Sequence, residues 1–283
     1  MAAISFHTDD DYLIQGQLYP ATGQVQGKII VAGATGVPQG FYRRFAEFAS
    51  EQGFTTLTFD YRGIGASKPA SLKGFEMDLL DWGRRDLAAA VETMSGDDLP
   101  LFVIGHSYGG HAFGLLPNHR KVSGLYVFGT GAGWHGYMPF SEQLKVLTMW
   151  NTVLPLLTWW KGYCAWSLLG MGEDLPKGAF VQWRYWCRFR HYFFDDPAMR
   201  GIERAYQSVQ TPIVAANALD DRWAMPASRD AFMKHYSNAP VTRVDLSPHT
   251  LDGAIGHMGY FRKSATPLWQ ASLAWFKSLE GIR

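Results

Sequence analysis

The sequence predicts an α/β fold, a mainly parallel sheet flanked by helices, with a helical insertion near its middle. Three observations carry that expectation. Short β-rich runs alternate with stretches of helical periodicity over the first half of the chain. One of those runs breaks into Gly105-His106-Ser107-Tyr108-Gly109, and the composition changes between residues 133 and 200. Strand–helix alternation gives parallel strands joined by right-handed crossovers, with helices on both faces of the sheet.

The elements follow in order. Residues 28–32 are a short β-rich run that leads into a glycine loop, Gly33-Ala34-Thr35-Gly36-Val37. A helix is expected over 41–52, where Phe45, Phe48 and Ala49 recur at helical spacing. Residues 55–60 read as the next strand. Residues 79–94 read as a helix with Leu87, Ala88, Val91 and Met94 on one face. Residues 101–104 and 124–128 are buried strands, 212–216 and 241–246 supply two more, and 266–279 close the chain as a helix. In such a sheet, ligand chemistry belongs at the carboxyl ends of the strands.

Residues 133–200 hold Trp134, Trp150, Trp159, Trp160, Trp166, Trp183 and Trp186, most of the 11 tryptophans in the chain. Set between two sheet strands, this stretch reads as a helical cap, leaving residues 1–132 and 201–283 as the core domain. Most of these rings should pack cap onto core. Trp134, Trp159 and Trp183 are the candidates for lining an apolar pocket, because aromatic rings bury large area rigidly.

Composition narrows the function classes. The 283 residues are 47% hydrophobic and 18% charged, which describes a globular chain with a sizeable core. With 26 basic and 25 acidic residues the formal charge is +1, so no electrostatic footprint for nucleic acid or an anionic membrane is expected. Cys164 and Cys187 form no CxxC or zinc spacing, and two free thiols are the default. The first residues lack the basic start and apolar run of a secretory signal. The greasy stretch 146–160 is too short for a membrane span and is broken by Asn151 and Pro155. A cytoplasmic protein is the expectation. No metal site stands out, and a homodimer is compatible with the sequence.

The glycine–serine turn carries the chemistry. A buried strand that breaks into Gly-x-Ser-x-Gly and resumes as a helix holds its serine in strained backbone, with Oγ clear of the sheet. Small residues flank it because strand and helix nearly touch there. A nucleophile at Ser107 needs an acid, a base and an oxyanion hole, the side chains following in the order Ser, Asp, His. After strand 212–216 stand Asp220 and Asp221. Asp221 is favoured because Ala218 lies three residues before it, and Asp220 remains the alternative. The base belongs in the loop after strand 241–246, where His249 and His257 compete. His257 is favoured because Gly256 and Gly259 let the backbone bring its ring close to other groups. The oxyanion hole needs two main-chain N–H groups. Tyr108 offers one and Thr35 the other, with Ala34 as fallback. Gly129-Thr130-Gly131-Ala132-Gly133 lacks the spacing of a dinucleotide loop. Asp60-Tyr61-Arg62-Gly63-Ile64-Gly65-Ala66-Ser67 reads as a tight loop beside the floor of the site.

Taken in order, Gly33-Ala34-Thr35-Gly36, Asp60-Tyr61-Arg62-Gly63-Ile64-Gly65, Gly105-His106-Ser107-Tyr108-Gly109-Gly110, Asp220-Asp221 and Gly256-His257-Met258-Gly259 resemble the α/β-hydrolase superfamily. They are most similar to bacterial hydrolases akin to serine aminopeptidases and monoacylglycerol lipases. The resemblance implies an α/β-hydrolase fold, a Ser107, Asp221, His257 triad and no cofactor. One departure is that the usual His-Gly pair before the oxyanion loop is absent. The expected activity is hydrolysis of a carboxylic ester of a small-to-medium apolar substrate through an acyl-enzyme. An acyltransferase or a thioesterase would use the same triad. A non-catalytic protein holding a hydrophobic ligand is the reading from a different class.

Overall fold

The computed structural model describes residues 1–170, 172–251 and 253–280. Its centre is an eight-stranded sheet formed by β1 (Ala2–His7), β2 (Leu13–Tyr19), β3 (Gly27–Ala32), β4 (Phe54–Phe59), β5 (Leu101–His106), β6 (Gly124–Phe128), β7 (Ile213–Ala218) and β8 (Val241–Leu246). The spatial order is β1-β2-β4-β3-β5-β6-β7-β8. From β4 to β8 all neighbours are parallel, whereas β2 runs antiparallel to both β1 and β4.

The helices are α1 (Arg43–Glu51), α2 (Ala88–Met94), α3 (Tyr108–Phe113), α4 (Phe140–Thr148), α5 (Leu154–Lys161), α6 (Lys177–Trp186), α7 (Ile202–Gln207), α8 (Pro226–Met233) and α9 (Thr266–Glu280). The helix expected over 79–94 begins as a π-helical turn, Trp82–Leu87, before α2. The one expected over 41–52 opens with a 3-10 turn at Gln39–Tyr42.

The central strands read as continuous apolar runs because both of their faces are covered. Their side chains alternate between two cores with a period of two. Ile30, Val103, Val127 and Ala215 join one core with α2, α3 and α8. Ile29, Val31, Phe102, Ile104 and Phe128 join the other with α1 and α9. The aromatic pairs Phe102–Phe276 and Phe45–Trp269, at 4.4 and 5.9 Å between centroids, fasten α9 and α1 to that second face.

Between β6 and β7 the chain leaves the sheet and builds α4, α5 and α6, whose inner side chains Val146, Leu154, Phe180 and Trp186 merge with the first core, together with Trp150 of the π-helical turn between α4 and α5. Their outer side is apolar and exposed at Phe140, Leu144, Leu156, Trp159 and Trp160. Among the described residues no helix is long and apolar enough to cross a membrane. Cys164 and Cys187 are buried free thiols.

Strand and helix approach closely at the turn from β5 into α3. A Cβ on Gly109 would stand 2.1 Å from the carbonyl oxygen of Ala32 at the end of β3. One on Gly110 would stand 2.3 Å from Thr130 Oγ1. Neither neighbour is the free end of a flexible side chain, so the helix would have to move. Gly109→Ala should therefore destabilise the fold by at least about 1–3 kcal/mol, the usual cost of overpacking. Thermal unfolding would show a lowered midpoint, and an unchanged Tm would refute the close packing.

Candidate active site

The backbone sets the site up. Ser107 closes β5 with φ 51° and ψ −106°, a left-handed value that a non-glycine residue seldom adopts. Its amide donates to the Phe128 carbonyl at 2.8 Å, and its carbonyl accepts from Thr130 Oγ1 at 2.8 Å. Both neighbours belong to the adjacent β6 and its end, so sheet pairing holds the turn in its strained form.

Three side chains from distant parts of the chain meet at this rim. His257 Nε2 lies 3.0 Å from Ser107 Oγ. On the other side of the ring, Nδ1 lies 2.9 and 3.1 Å from the two carboxylate oxygens of Asp221. Asp221 is fully buried and also accepts from the Tyr260 hydroxyl at 2.9 Å and from the Trp223 and Ala224 amides. Burial works against its charge. The His257 ring and these donors outweigh that and hold the carboxyl below its ordinary range.

Asp220, the alternative acid, faces away from the imidazole. It accepts from the Ile255 and Gly256 amides at 2.9 and 3.1 Å and so fixes the loop that presents His257. His249 is exposed in a 3-10 turn after β8. Gly129 of the glycine loop lies against the site. A Cβ there would come within 3.1 Å of Asp221 Oδ2 and 3.4 Å of His257 Nδ1, and its φ is +63°. The other two glycines of that loop face different neighbours, Gly131 against Ser228 and Gly133 against Cys187.

A buried polar chain runs behind the serine. The Ala34 amide donates to the Tyr42 hydroxyl at 2.7 Å, and that hydroxyl lies 3.0 Å from His106 Nδ1. His106 Nε2 lies 2.9 Å from the His257 carbonyl oxygen. A carbonyl only accepts, so Nε2 carries the proton and the Tyr42 O–H donates to Nδ1. Every group is satisfied in one direction only. Burial, helped by the neighbouring His257, pushes the pKa of His106 down to about 3, and the ring is neutral. The chain ties the loop after β3 to the loop that holds His257. It also commits the Ala34 amide, so the fallback oxyanion donor is already occupied and Thr35 is the next amide along the loop.

A cavity of about 400 Å³ opens above Ser107. Its lining includes Thr35, Val37 and Phe41 from the segment after β3, and the rings of Trp166, Trp183 and Trp223. Trp166 and Trp183 stack at 5.1 Å, and Trp223 lies over His257 at 5.8 Å. The insertion is pinned over this cavity by polar bonds. The Glu173 amide donates to the Gly36 carbonyl at 3.1 Å, and the Glu173 carboxylate accepts from the Gly65 amide at 2.9 Å. Trp223 Nε1 donates to Glu142 of α4 at 3.2 Å.

Of the three tryptophans expected at the pocket, Trp183 lines it. Trp159 does not: it sits on the outer side of α5, 84% exposed. Trp134 is also outside the cavity, packed edge-on against Tyr137 at 5.2 Å beneath Arg190. Sequence reasoning passed over Tyr42, His106, Tyr260 and the rings of Trp166 and Trp223. Only His106 carried a signal, as a histidine inside the glycine–serine motif.

A family model described as serine aminopeptidase, S33, matches residues 23–251. No curated protein matches the sequence. A soluble variant of monoglyceride lipase from Saccharomyces cerevisiae, solved with a substrate analogue, superposes with a TM-score of 0.68 at 18% identity, over 97% of this chain and 94% of that one. A thermophilic esterase from Thermogutta terrifontis gives 0.62 at 13% identity over 99% of each chain. Mouse α/β hydrolase domain-containing protein 10 gives 0.62 at 14% identity, over 99% of this chain and 100% of its own. At these identities the likeness is one of fold.

Two stability measurements follow from the geometry. Tyr42→Phe leaves the Ala34 amide and His106 Nδ1 buried without a partner and should cost about 1–3 kcal/mol in urea unfolding. A loss below the error of the fit would show the chain to be dispensable. His106 and His111 are both neutral in the fold, with pKa values pushed down by burial to about 3 and about 4 from 6.5. The unfolded chain takes up those protons first, so stability falls as pH drops below about 6.5. The slope should approach about 1.4 kcal/mol per pH unit for each histidine until its folded pKa is reached. Unfolding free energies that stay level between pH 7 and pH 5 would contradict this.

Proposed function

The chain belongs to the serine aminopeptidase family of α/β hydrolases, and from that premise we propose that it cleaves a carboxylic ester of a small-to-medium apolar substrate. The observation that carries the reading is the 3.0 Å approach of His257 Nε2 to Ser107 Oγ, with Asp221 on the opposite ring nitrogen. The apolar cavity of about 400 Å³ above the serine supports the substrate class.

In this scheme His257 Nε2 takes the Ser107 hydroxyl proton as Oγ bonds to the ester carbonyl carbon, whose oxygen becomes the oxyanion. The amides of Thr35 and Tyr108 are the donors to that oxygen. Tyr108 opens α3, and the first amides of a helix have no intrahelical acceptor. The Ala34 amide is held by Tyr42, which leaves Thr35 for this role. Collapse of the adduct breaks the bond to the leaving oxygen, which receives the proton from His257. Water then loses a proton to His257, attacks the acyl carbon and releases the acid, and the proton returns to Ser107. Asp221 fixes the imidazole with its proton on Nδ1 and stabilises the imidazolium. Residues 133–200 act as a cap that keeps bulk water from the acyl-enzyme.

Ser107→Ala should lower kcat for 4-nitrophenyl butanoate by about 10⁴–10⁶-fold, and Asp221→Asn by about 10⁴-fold, with KM little changed. A fluorophosphonate should label Ser107 alone. Burst release of nitrophenol that persists in Ser107→Ala would sink the scheme. Repeating the assay with thioesters and with added alcohols separates hydrolysis from acyl transfer.

A further inference from the structure

The turn that carries Thr35 is held from two sides. Residues 34–37 reverse the chain, closed by the Val37 amide on the Ala34 carbonyl at 3.2 Å, with Gly36 in third position at φ +70°. The Ala34 amide is engaged by Tyr42, and no hydrogen bond among the described residues takes the amide of Thr35. From the core, the buried carboxylate of Asp60 ties this segment to the loop after β4. It accepts from the Gln39 amide at 2.7 Å, from Gln39 Nε2 at 2.9 Å and from the Ala66 amide at 3.0 Å.

From the insertion, a single residue joins the same two segments again. The Glu173 amide donates to the Gly36 carbonyl at 3.1 Å, and the Glu173 carboxylate accepts from the Gly65 amide at 2.9 Å and from Lys68 Nζ at 2.6 Å. The fit around this residue is close. A Cβ on Gly172 would stand 3.1 Å from the Gly36 carbonyl oxygen, and one on Gly36 would stand 3.1 Å from Leu175 Cδ2. The surroundings of Glu173 are braced without help from its side chain. Cys164 and Leu175 exchange both main-chain bonds at 3.0 Å, and the Asp174 carboxylate accepts from the Ser167 amide at 2.9 Å. Trp166, part of the cavity lining, lies within that brace.

What this does to the turn follows from peptide geometry. Peptide units are rigid planes, so fixing both ends of the unit between Gly36 and Val37 restrains rotation of the whole turn. Its N–H is fixed on Ala34 and its carbonyl on Glu173. An oxyanion donor is effective when it is aimed before the charge develops, because no reorganisation is then needed at the moment of reaction. The Glu173 carboxylate, anchored on Gly65, decides where the Glu173 amide stands and therefore where the turn is seated.

We propose that Glu173 is a positioning residue for the oxyanion hole, coupling the insertion to the turn that presents the Thr35 amide. The insertion then contributes to the chemical step as well as covering the serine. The inference rests on ester hydrolysis at Ser107 with Thr35 as a donor. Because Trp166 is held by bonds that do not involve the Glu173 side chain, loss of that side chain releases the turn and leaves this part of the cavity wall in place.

Steady-state kinetics on 4-nitrophenyl butanoate test this, with folding checked by circular dichroism and active serine counted by exhaustive phosphonate titration. Removing an oxyanion donor outright costs about 10²–10³-fold in kcat, and displacing one costs less. Glu173→Ala should therefore lower kcat and kcat/KM together by about tenfold, with KM little changed. The ketone 1,1,1-trifluorohexan-2-one adds to Ser107 Oγ and sets an anionic oxygen where the ester's would form, so its Ki should rise by the same factor. Glu173→Gln keeps an acceptor for the Gly65 amide and loses only the ion pair to Lys68, whose two side chains are 31% and 30% exposed. Such a pair is worth little, so this variant should return kcat to within about threefold of wild type. Should Glu173→Ala fail to fold, Glu173→Asp, whose carboxylate stops one methylene short of Gly65, should show the same fall. A kcat within about twofold of wild type in the alanine variant, or a change in KM alone, overturns the proposal. So does a ketone Ki that holds steady while kcat falls, or a glutamine variant as slow as the alanine one. Turnover by the wild-type protein that depends on Ser107 would keep the hydrolase reading intact in each of these events. Absence of turnover, with no labelling of Ser107, would remove both.

Discussion

The contact on which the rim depends is the one between the first turn of α3 and the carboxyl end of β3, where Gly109 lies against the Ala32 carbonyl. A Cβ at position 109 has no room, so the helix starts hard against the sheet. That proximity forces the chain to reverse within one residue, and Ser107 takes the left-handed conformation as a result. The strain is local. It is offset by pairing with β6, through the bonds from the Ser107 amide to Phe128 and from Thr130 to the Ser107 carbonyl. The same proximity brings the amide at the start of α3 beside the loop after β3. A serine hydroxyl and two candidate oxyanion donors therefore share one corner of the sheet without any long loop having to be ordered.

The histidine arrives by a different route. The loop after β8 carries no regular pairing where His257 stands, and it is held by polar anchors instead. Asp220 takes two of its amides, His106 takes the His257 carbonyl, and Asp221 takes the ring. Tyr260, in the 3-10 turn that follows His257, donates its hydroxyl to Asp221 and accepts from the Ala218 amide. These groups are largely buried, where a hydrogen bond is stronger than in water and an unmade one is costly. An imidazole between two partners at 2.9 and 3.0 Å is thereby kept in one tautomer and one orientation. Tyr42 adds a link to the opposite wall of the cavity, so the loop after β3 and the loop after β8 share one hydrogen-bonded chain.

How much of this could be read from the sequence follows from what each part depends on. The buried central strands were legible because two covered faces make an unbroken apolar run, as in Leu101-Phe102-Val103-Ile104. The turn at Ser107 was legible because only glycine fits where a helix and a strand touch. The two antiparallel strands β1 and β2 were not anticipated. Ala2–His7 is mostly exposed and Leu13–Tyr19 carries two glutamines and a glycine, so neither stands out from a loop. Tyr42 and Tyr260 were invisible for another reason. Their roles rest on a hydroxyl that meets partners 64 and 39 positions away, and nothing local marks it.

Tryptophan content announced the insertion but not its sidedness. Trp159 and Trp160 point to solvent from α5, whereas Trp150, Trp166 and Trp183 form a packed group with centroids 4.9 and 5.1 Å apart. A short helix rich in apolar residues on every face has no moment to tell inside from outside. Only the surroundings decide, here the first core beneath Trp150 and the cavity beside Trp183. Because Trp183 and Trp223 border both the large cavity and a second chamber of about 40 Å³, together with Ser107 and His257, any molecule bound across them straddles the hydroxyl of Ser107. The insertion therefore divides the space over the serine into unequal parts.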